Sequence, residues 1–146
     1  MRQESNCKIC QGQGERADEY VVYEDALWRV RHSRETNIAG YLVLESKRHF
    51  LDLSEANDQE CASYGGVLKA VTQTIRRVTK CSRVYTFSLA EMVPHFHLHV
   101  IPRTNYLPPA YRGRGIMSYP VSPSLDANVA SLVCERLRRT LAAVAG

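Results

Sequence analysis

The chain has 146 residues and a mass of 16.5 kDa, with 45% hydrophobic and 23% charged residues, which fits one globular domain and excludes an intrinsically disordered chain. Nineteen Lys and Arg against 15 Asp and Glu give a net charge of +4, mildly basic, which suits a phosphate-bearing ligand and falls short of a dedicated DNA binder. The first twenty residues are polar with charges of both signs, no apolar run approaches the ~18 residues of a bilayer span, and five cysteines cannot all pair; the expected setting is a reducing cytoplasm, without membrane or secretion.

In chain order, residues 1–18 carry Cys7-Lys-Ile-Cys10 followed by Gly12 and Gly14 and read as a loop or short turn. Val21, Val22 and Tyr23 open a β-rich region. From Leu27 to His32 apolar and polar residues alternate after Trp28, the period of a half-buried strand. Gly40 to Leu44 is a second apolar strand, and the turn-like residues 33–39 between the two predict an antiparallel pair. Ser54, with Asn57 three residues on and Glu55 and Asp58 in the first turn, predicts a helix from about Glu55 to Lys80. Its stripe is Tyr64, Val67, Leu68, Val71, Ile75 and Val78. Gly65-Gly66 predicts close packing or a kink within it. Ser82 to Ser88 returns to strand alternation, and His95 to Ile101 is a further strand stopped by Pro102. Residues 103–123 hold four of the six prolines and read as irregular. Ser124 then caps a final helix with an apolar face of Leu125, Val129, Leu132, Val133, Leu137, Leu141 and Val144. The order predicts a single α+β domain, residues 1–146, with helices packed on a mainly antiparallel sheet.

Chemistry concentrates in His95-Phe96-His97-Leu98-His99-Val100-Ile101. On a strand, alternate side chains share a face, so the three histidines stand on one side and Phe96, Leu98 and Val100 fill a core on the other. A solvated, merely histidine-rich strand face is the blander reading, but three of only five histidines fall at strict period two. Such a row can bind a metal, or supply an attacking imidazole flanked by groups that orient it and bind charge; the pattern alone leaves both open. Cys7-x-x-Cys10 is likewise open on its own to a redox pair, half of a zinc site or coincidence. It lies in a loop with no preceding strand, which disfavours the redox reading.

The segment His95–Ile101 resembles the signature of the histidine triad (HIT) superfamily of nucleotide hydrolases and transferases at every position, and Pro102-Arg103 is also typical of it. Upstream, Ala39-Gly40-Tyr41-Leu42-Val43-Leu44-Glu45-Ser46-Lys47-Arg48-His49 resembles the superfamily's strand, and Asp52-Leu53-Ser54 its entry to the long helix. These segments cover most of residues 1–102, leaving 103–146 as a basic loop plus the C-terminal helix. The resemblance implies that His97 is the nucleophile that attacks the α-phosphorus of a nucleotide, that His99 hydrogen-bonds phosphate oxygens, and that water then hydrolyses a covalent nucleotidyl-histidine. The attack needs an imidazole with one nitrogen free and the other donating to a fixed acceptor, for which a backbone carbonyl of the same strand run would serve. It implies Ser33, Ser88, His99 and Arg103 as nucleotide or phosphate contacts. A histidine rather than glutamine at position 99 implies hydrolysis rather than transfer. The zinc-bearing branches of the superfamily place ligands at positions that fall here on Cys7, Cys10, His49 and His95, which implies one structural zinc, with no metal required by the chemical step. Two-fold dimers are common in the superfamily, which implies a homodimer, with Gly65-Gly66 on the long helix as a contact surface. Cys61, Cys81 and Cys134 read as small core residues.

The chain departs from the superfamily pattern in several places. The histidine usual after Gly40 is Tyr41, the proline usual before Lys47 is Ser46, and the segment before the triad, Ser88 to Pro94, lacks glycine and carries Glu91. A carboxylate there repels phosphate unless paired or protonated. The departures leave the nucleophile intact, while Glu91 and the missing glycine loop favour an alternative function, a nucleotide-binding regulatory or interaction protein with little or no turnover. Arg112 and Arg114 fit a polyphosphate contact and a solvated loop equally well.

Overall fold

The computed structural model describes residues 4–13 and 18–145. Five strands form one sheet: β1 (Val21–Glu24), β2 (Trp28–His32), β3 (Leu42–Ser46), β4 (Arg83–Phe87) and β5 (His97–Arg103), in spatial order β1-β2-β3-β5-β4 with every neighbouring pair antiparallel. Helix α2 (Asp58–Thr79) precedes β4 and helix α3 (Ala127–Ala145) ends the chain; both cover one face of the sheet. The architecture is the α+β arrangement expected. Alternation explains the covered face: Trp28 and Val30 of β2, Leu42 and Leu44 of β3, and Val100 of β5 are fully buried and meet Val71, Ile75, Cys134, Leu137 and Leu141 from the helices. The opposite face therefore takes the odd-numbered residues of β2, β3 and β5, among them Arg29, Arg31, Glu45, His97 and His99.

Several boundaries differ from the sequence reading, each for a local reason. Residues 8–13 form a short helix, α1 (Lys8–Gln13), rather than a loop; Gly14, the other glycine of that predicted loop, lies outside the described residues. Asn57, not Ser54, caps α2: its side chain accepts from the Glu60 N–H while the Glu60 carboxylate accepts from the Asn57 N–H. Leu53–Glu55 is a separate 3₁₀ turn closed by Asp52. Helix α2 runs unbroken for 22 residues, and a Cβ on Gly65 or Gly66 would meet nothing within 4 Å, so the glycines mark neither a kink nor a close approach. Strand β5 starts at His97, not His95, and continues through Pro102, which lies beyond the last β3 pairing, Leu42 with Val100, so its missing N–H costs no ladder bond there. In α3 the buried residues are Ala130, Cys134, Leu137 and Leu141, while Val129 and Leu132 are exposed; the stripe is turned toward small residues that let α3 approach its neighbours. Asp126, rather than Ser124, accepts the Asn128 and Val129 N–H groups at its start. Cys61 is exposed, whereas Cys81 and Cys134 are core residues. Residues 103–123 contain two 3₁₀ segments, Pro109–Tyr111 and Gly113–Ser118, and Leu107 and Ile116 from this stretch close over Ile101, Tyr41 and Phe87 at one end of the polar face.

Gly40 makes the tight entry into β3. It sits at φ +93°, its N–H donates to the fully buried His32 Nε2, and a Cβ there would lie 2.6 Å from the Thr79 methyl. Gly40→Ala is therefore expected to destabilise the fold by about 2–4 kcal/mol through left-handed strain and overpacking together, read as a lower urea midpoint with an unchanged m-value.

Candidate functional site

The polar face of the sheet is organised in rows across the strands. Cross-strand register places Arg31, Val43, His99 and Phe87 in one row and Arg29, Glu45 and His97 in the next. His97 Nδ1 lies 2.7 Å from the His95 carbonyl oxygen. A carbonyl can only accept, so Nδ1 carries a proton toward it, and in the neutral ring the lone pair is on Nε2. His99 stacks on Phe87 with centroids 4.7 Å apart, meets His97 edge-on at 5.1 Å, and places Nδ1 2.7 Å from the Tyr41 hydroxyl. Burial, with the nearby His97 and Arg31 charges, holds the His99 imidazole down to about 4, so it is neutral at physiological pH.

His95 leaves the row. The chain turns ahead of β5, with the His95 N–H bonded to the Val93 carbonyl, and the fully buried His95 ring points to a second cluster. Its Nε2 donates to the Ser46 carbonyl at 2.7 Å, so Nδ1 is the free nitrogen. That nitrogen stands 3.4 Å from Cys7 Sγ, 3.5 Å from Cys10 Sγ and 3.1 Å from His49 Nδ1, and Cys10 Sγ is 3.4 Å from His49 Nδ1. All four ligand atoms lie within 4.8 Å of one another. Helix α1 supplies this proximity, because its first turn carries Cys10 and directs the Cys10 N–H to Cys7 Sγ. The Glu4 N–H donates to Cys10 Sγ. Two sulfurs receiving backbone donors, two imidazole nitrogens facing each other, and a carbonyl fixing the tautomer of His95 are what a four-coordinate metal site needs in its inner and outer layers. Burial pushes the Cys10 thiol up and the His95 imidazole down; a cation at the centre reverses the first effect and exploits the second. The four residues can hold a metal ion.

The other sequence-predicted residues are placed unequally. Ser33 adjoins the His99 row through its N–H bond to the Tyr41 carbonyl, and its hydroxyl accepts from Glu35 N–H. Ser88 is exposed one residue beyond Phe87. Arg103 is not brought to the site: it lies six residues along β5 from His97, roughly 20 Å at strand rise, and its Nε is buried without a partner among the described residues. Arg112 donates to the carbonyls of Leu107 and Asn105 in its own loop, and Arg114 is exposed. Glu91 lies in an exposed segment whose Ala90 adopts φ +55°.

The structure also brings in residues the sequence reading did not single out. Glu45 is 2% exposed directly opposite His97, and receives Arg31 Nε at 3.2 Å and Gln13 Nε2 at 3.4 Å. Arg29, opposite Glu45, is 6% exposed and its Nε has no partner among the described residues. The alternation from Leu27 to His32 already set Arg29 and Arg31 on one face; only the register shows that this face adjoins His97. Clefts of about 520 Å³ between α2 and α3, about 410 Å³ along α3 at Val129, Leu132 and Arg136, and about 360 Å³ beside Pro102 and Thr104 contain no triad residue.

Residues 15–106 match the family described as HIT domain. The chain belongs to that family. No curated protein matches it in sequence. Among solved structures, the HIT protein is similar to a hypothetical histidine triad nucleotide-binding protein from Sulfolobus tokodaii strain7, with 20% identity over 94% of this chain and 93% of that one and a TM-score of 0.74. It is similar to a Zn-bound histidine triad family protein from Mycobacterium smegmatis, at 20% identity, 94% coverage of both chains and a TM-score of 0.71. A Hit-like protein involved in cell-cycle regulation from Bartonella henselae, with an unknown ligand, matches at 13% identity over 94% of this chain and 98% of that one, with a TM-score of 0.71. These likenesses establish the shared fold. Among the described residues no helix of the HIT protein is long and apolar enough to cross a membrane.

Proposed function

We propose that this HIT protein is a nucleotide hydrolase acting on nucleoside phosphoramidates or on phosphoanhydrides such as dinucleoside polyphosphates, through a covalent intermediate on His97. The observation that carries the reading is the His97 Nδ1 bond to the His95 carbonyl, which in the neutral ring directs the lone pair to Nε2 on the polar face. In the first step that lone pair forms a bond to the α-phosphorus, the bond to the leaving group breaks with its electron pair, and the leaving group takes up a proton from solvent. In the second, water attacks the same phosphorus and gives up a proton to solvent, Nε2 leaves with its electron pair, and the nucleoside monophosphate is released. In this reading neutral His99, edge-on to His97, hydrogen-bonds the phosphoryl oxygens, and Ser33, bonded to the Tyr41 carbonyl, and exposed Ser88 are further nucleotide contacts.

Zinc is the metal proposed for Cys7, Cys10, His49 and His95. A tetrahedral ion with Zn–S about 2.3 Å and Zn–N about 2.0 Å separates its ligand atoms by roughly 3.3–3.8 Å, close to the 3.1–3.5 Å of four of the six ligand pairs, with all six within 4.8 Å. Four protein ligands close that site, so the ion contributes folding free energy and fixes the turn that carries the His95 carbonyl. The alternative, a nucleotide-binding protein without turnover, draws on Glu91 in the exposed segment beside the triad. A two-fold homodimer is also proposed, with the open Gly65-Gly66 face of α2 as contact.

His97→Asn should retain nucleoside monophosphate binding while turnover falls by about three orders of magnitude or more, and rapid quench of the wild type with labelled substrate should trap acid-labile, base-stable label on His97. Absence of label with binding retained would favour the non-catalytic alternative. Elemental analysis should give about one zinc per chain, lost in Cys7→Ser or His49→Ala together with several degrees of Tm; metal retained in a Cys7 and Cys10 double variant sinks the site. Light scattering should give twice the 16.5 kDa chain mass, and a mass of one chain at micromolar concentration rejects the dimer.

A further inference from the structure

Tyr41 lies where the superfamily usually has histidine, and its contact with His99 is specific. The hydroxyl is 2.7 Å from His99 Nδ1 and the rings meet edge to face with centroids 5.8 Å apart. Phe87 stacks on the His99 ring and His97 meets it edge-on, so the imidazole is clamped on three sides. Burial pushes the Tyr41 phenol up to about 12 and the His99 imidazole down to about 4; Arg31 on β2 lowers both, Glu35 raises the phenol and His97 lowers the imidazole. At neutral pH the pair is thus a phenolic O–H and an uncharged ring, and one proton position remains to be fixed.

Two arrangements satisfy a 2.7 Å contact. If Nδ1 donates to the hydroxyl, the half-buried O–H has no acceptor among the described residues, and Nε2 becomes a lone pair that faces phosphate oxygens as acceptor against acceptor. If the hydroxyl donates to Nδ1, no buried donor is orphaned and Nε2 carries the proton. We propose that Tyr41 is a positioning residue that holds His99 as its Nε2–H tautomer, a neutral hydrogen-bond donor beside the His97 Nε2 lone pair. The two histidines are then held in opposite tautomers by different partners, a carbonyl for His97 and a phenol for His99. What the Nε2–H serves, a phosphoryl oxygen, rests on the nucleotidyl-transfer reading; the proton's position does not.

Long-range ¹H–¹⁵N spectra of the protein as purified, without substrate, read the tautomer directly. The expected result for His99 is a pyrrole-type Nε2 and a pyridine-type Nδ1. Tyr41→Phe keeps the ring and removes the donor, and should move His99 toward the Nδ1–H form. Turnover of a nucleoside phosphoramidate should then fall about tenfold to a hundredfold, below the loss for deleting an oxyanion donor outright, while nucleoside monophosphate affinity changes by less than about threefold. Tyr41→Gln, whose amide N–H also donates, should retain the Nε2–H form. A wild-type His99 protonated on Nδ1, or a folded Tyr41→Phe protein with unchanged tautomer populations, overturns the proposal; should Tyr41→Phe not fold, the wild-type and Tyr41→Gln spectra decide it. The expected tautomers in a protein without turnover would overturn the hydrolase reading and leave this one standing.

Discussion

His95 directs three polar atoms three ways, and the rest of the site depends on that division. Its Nε2–H ties the turn before β5 to the Ser46 carbonyl at the end of β3, its Nδ1 closes the cluster with Cys7, Cys10 and His49, and its own carbonyl accepts the proton of His97 Nδ1. Backbone and side chain of one residue therefore couple the metal-type cluster to the protonation pattern of the next histidine in the row. The coupling is mechanical: a carbonyl shifted by a fraction of an ångström weakens a 2.7 Å bond steeply, whereas the sheet ladder beyond it is held by β3 and β4 on both sides. The short helix α1 is secured by the same centre, since six residues have little helical stability of their own and both cysteines sit at its start.

The elements that the sequence made legible are those where period and burial coincide. The 22 residues of α2 and the alternation of β2 could be read directly because Val71 and Ile75, Trp28 and Val30 fill one core from known faces. The failures share another physical origin. His95 continues the period-two pattern in sequence, yet the bend after Pro94 takes it out of the strand, and nothing short of the Ser46 carbonyl's position reveals that. In α3 the large apolar residues Val129 and Leu132 drew the predicted stripe, whereas the packed face uses Ala130 and Cys134, small enough for close helix approach. Gly65-Gly66 reads as a packing signal in sequence and stands open in the fold. For the site, the motif located His97, His99 and the four-residue cluster, while Glu45, Arg31 and Arg29 needed strand register to be seen as neighbours of His97.

Those neighbours make the polar face energetically unusual. Arg29 and Glu45 are almost fully buried, burial and nearby positive charge hold the His99 imidazole well below its usual range, and Arg31 spans from its own row to the Glu45 carboxylate. Withdrawing charges and imidazoles from water costs several kcal/mol per ion unless partners compensate, and apolar residues of similar volume at such positions are often neutral or stabilising. A sheet that needed only a second covered face would be served by the same alternation that fills the helix side with Trp28, Leu42 and Leu44. Instead one face is packed to the standard of a core, and the other carries two imidazoles, a half-buried Arg31–Glu45 ion pair and, against His99, a phenol. Departures from local packing rules concentrate where a chain does chemistry or binds a charged ligand. Two of the positions at which this chain departs from the superfamily pattern obey that logic, because Tyr41 lies against His99 and the hydroxyl of Ser46 lies 3.2 Å from His95 Nε2, so both bear on the histidines rather than on the core.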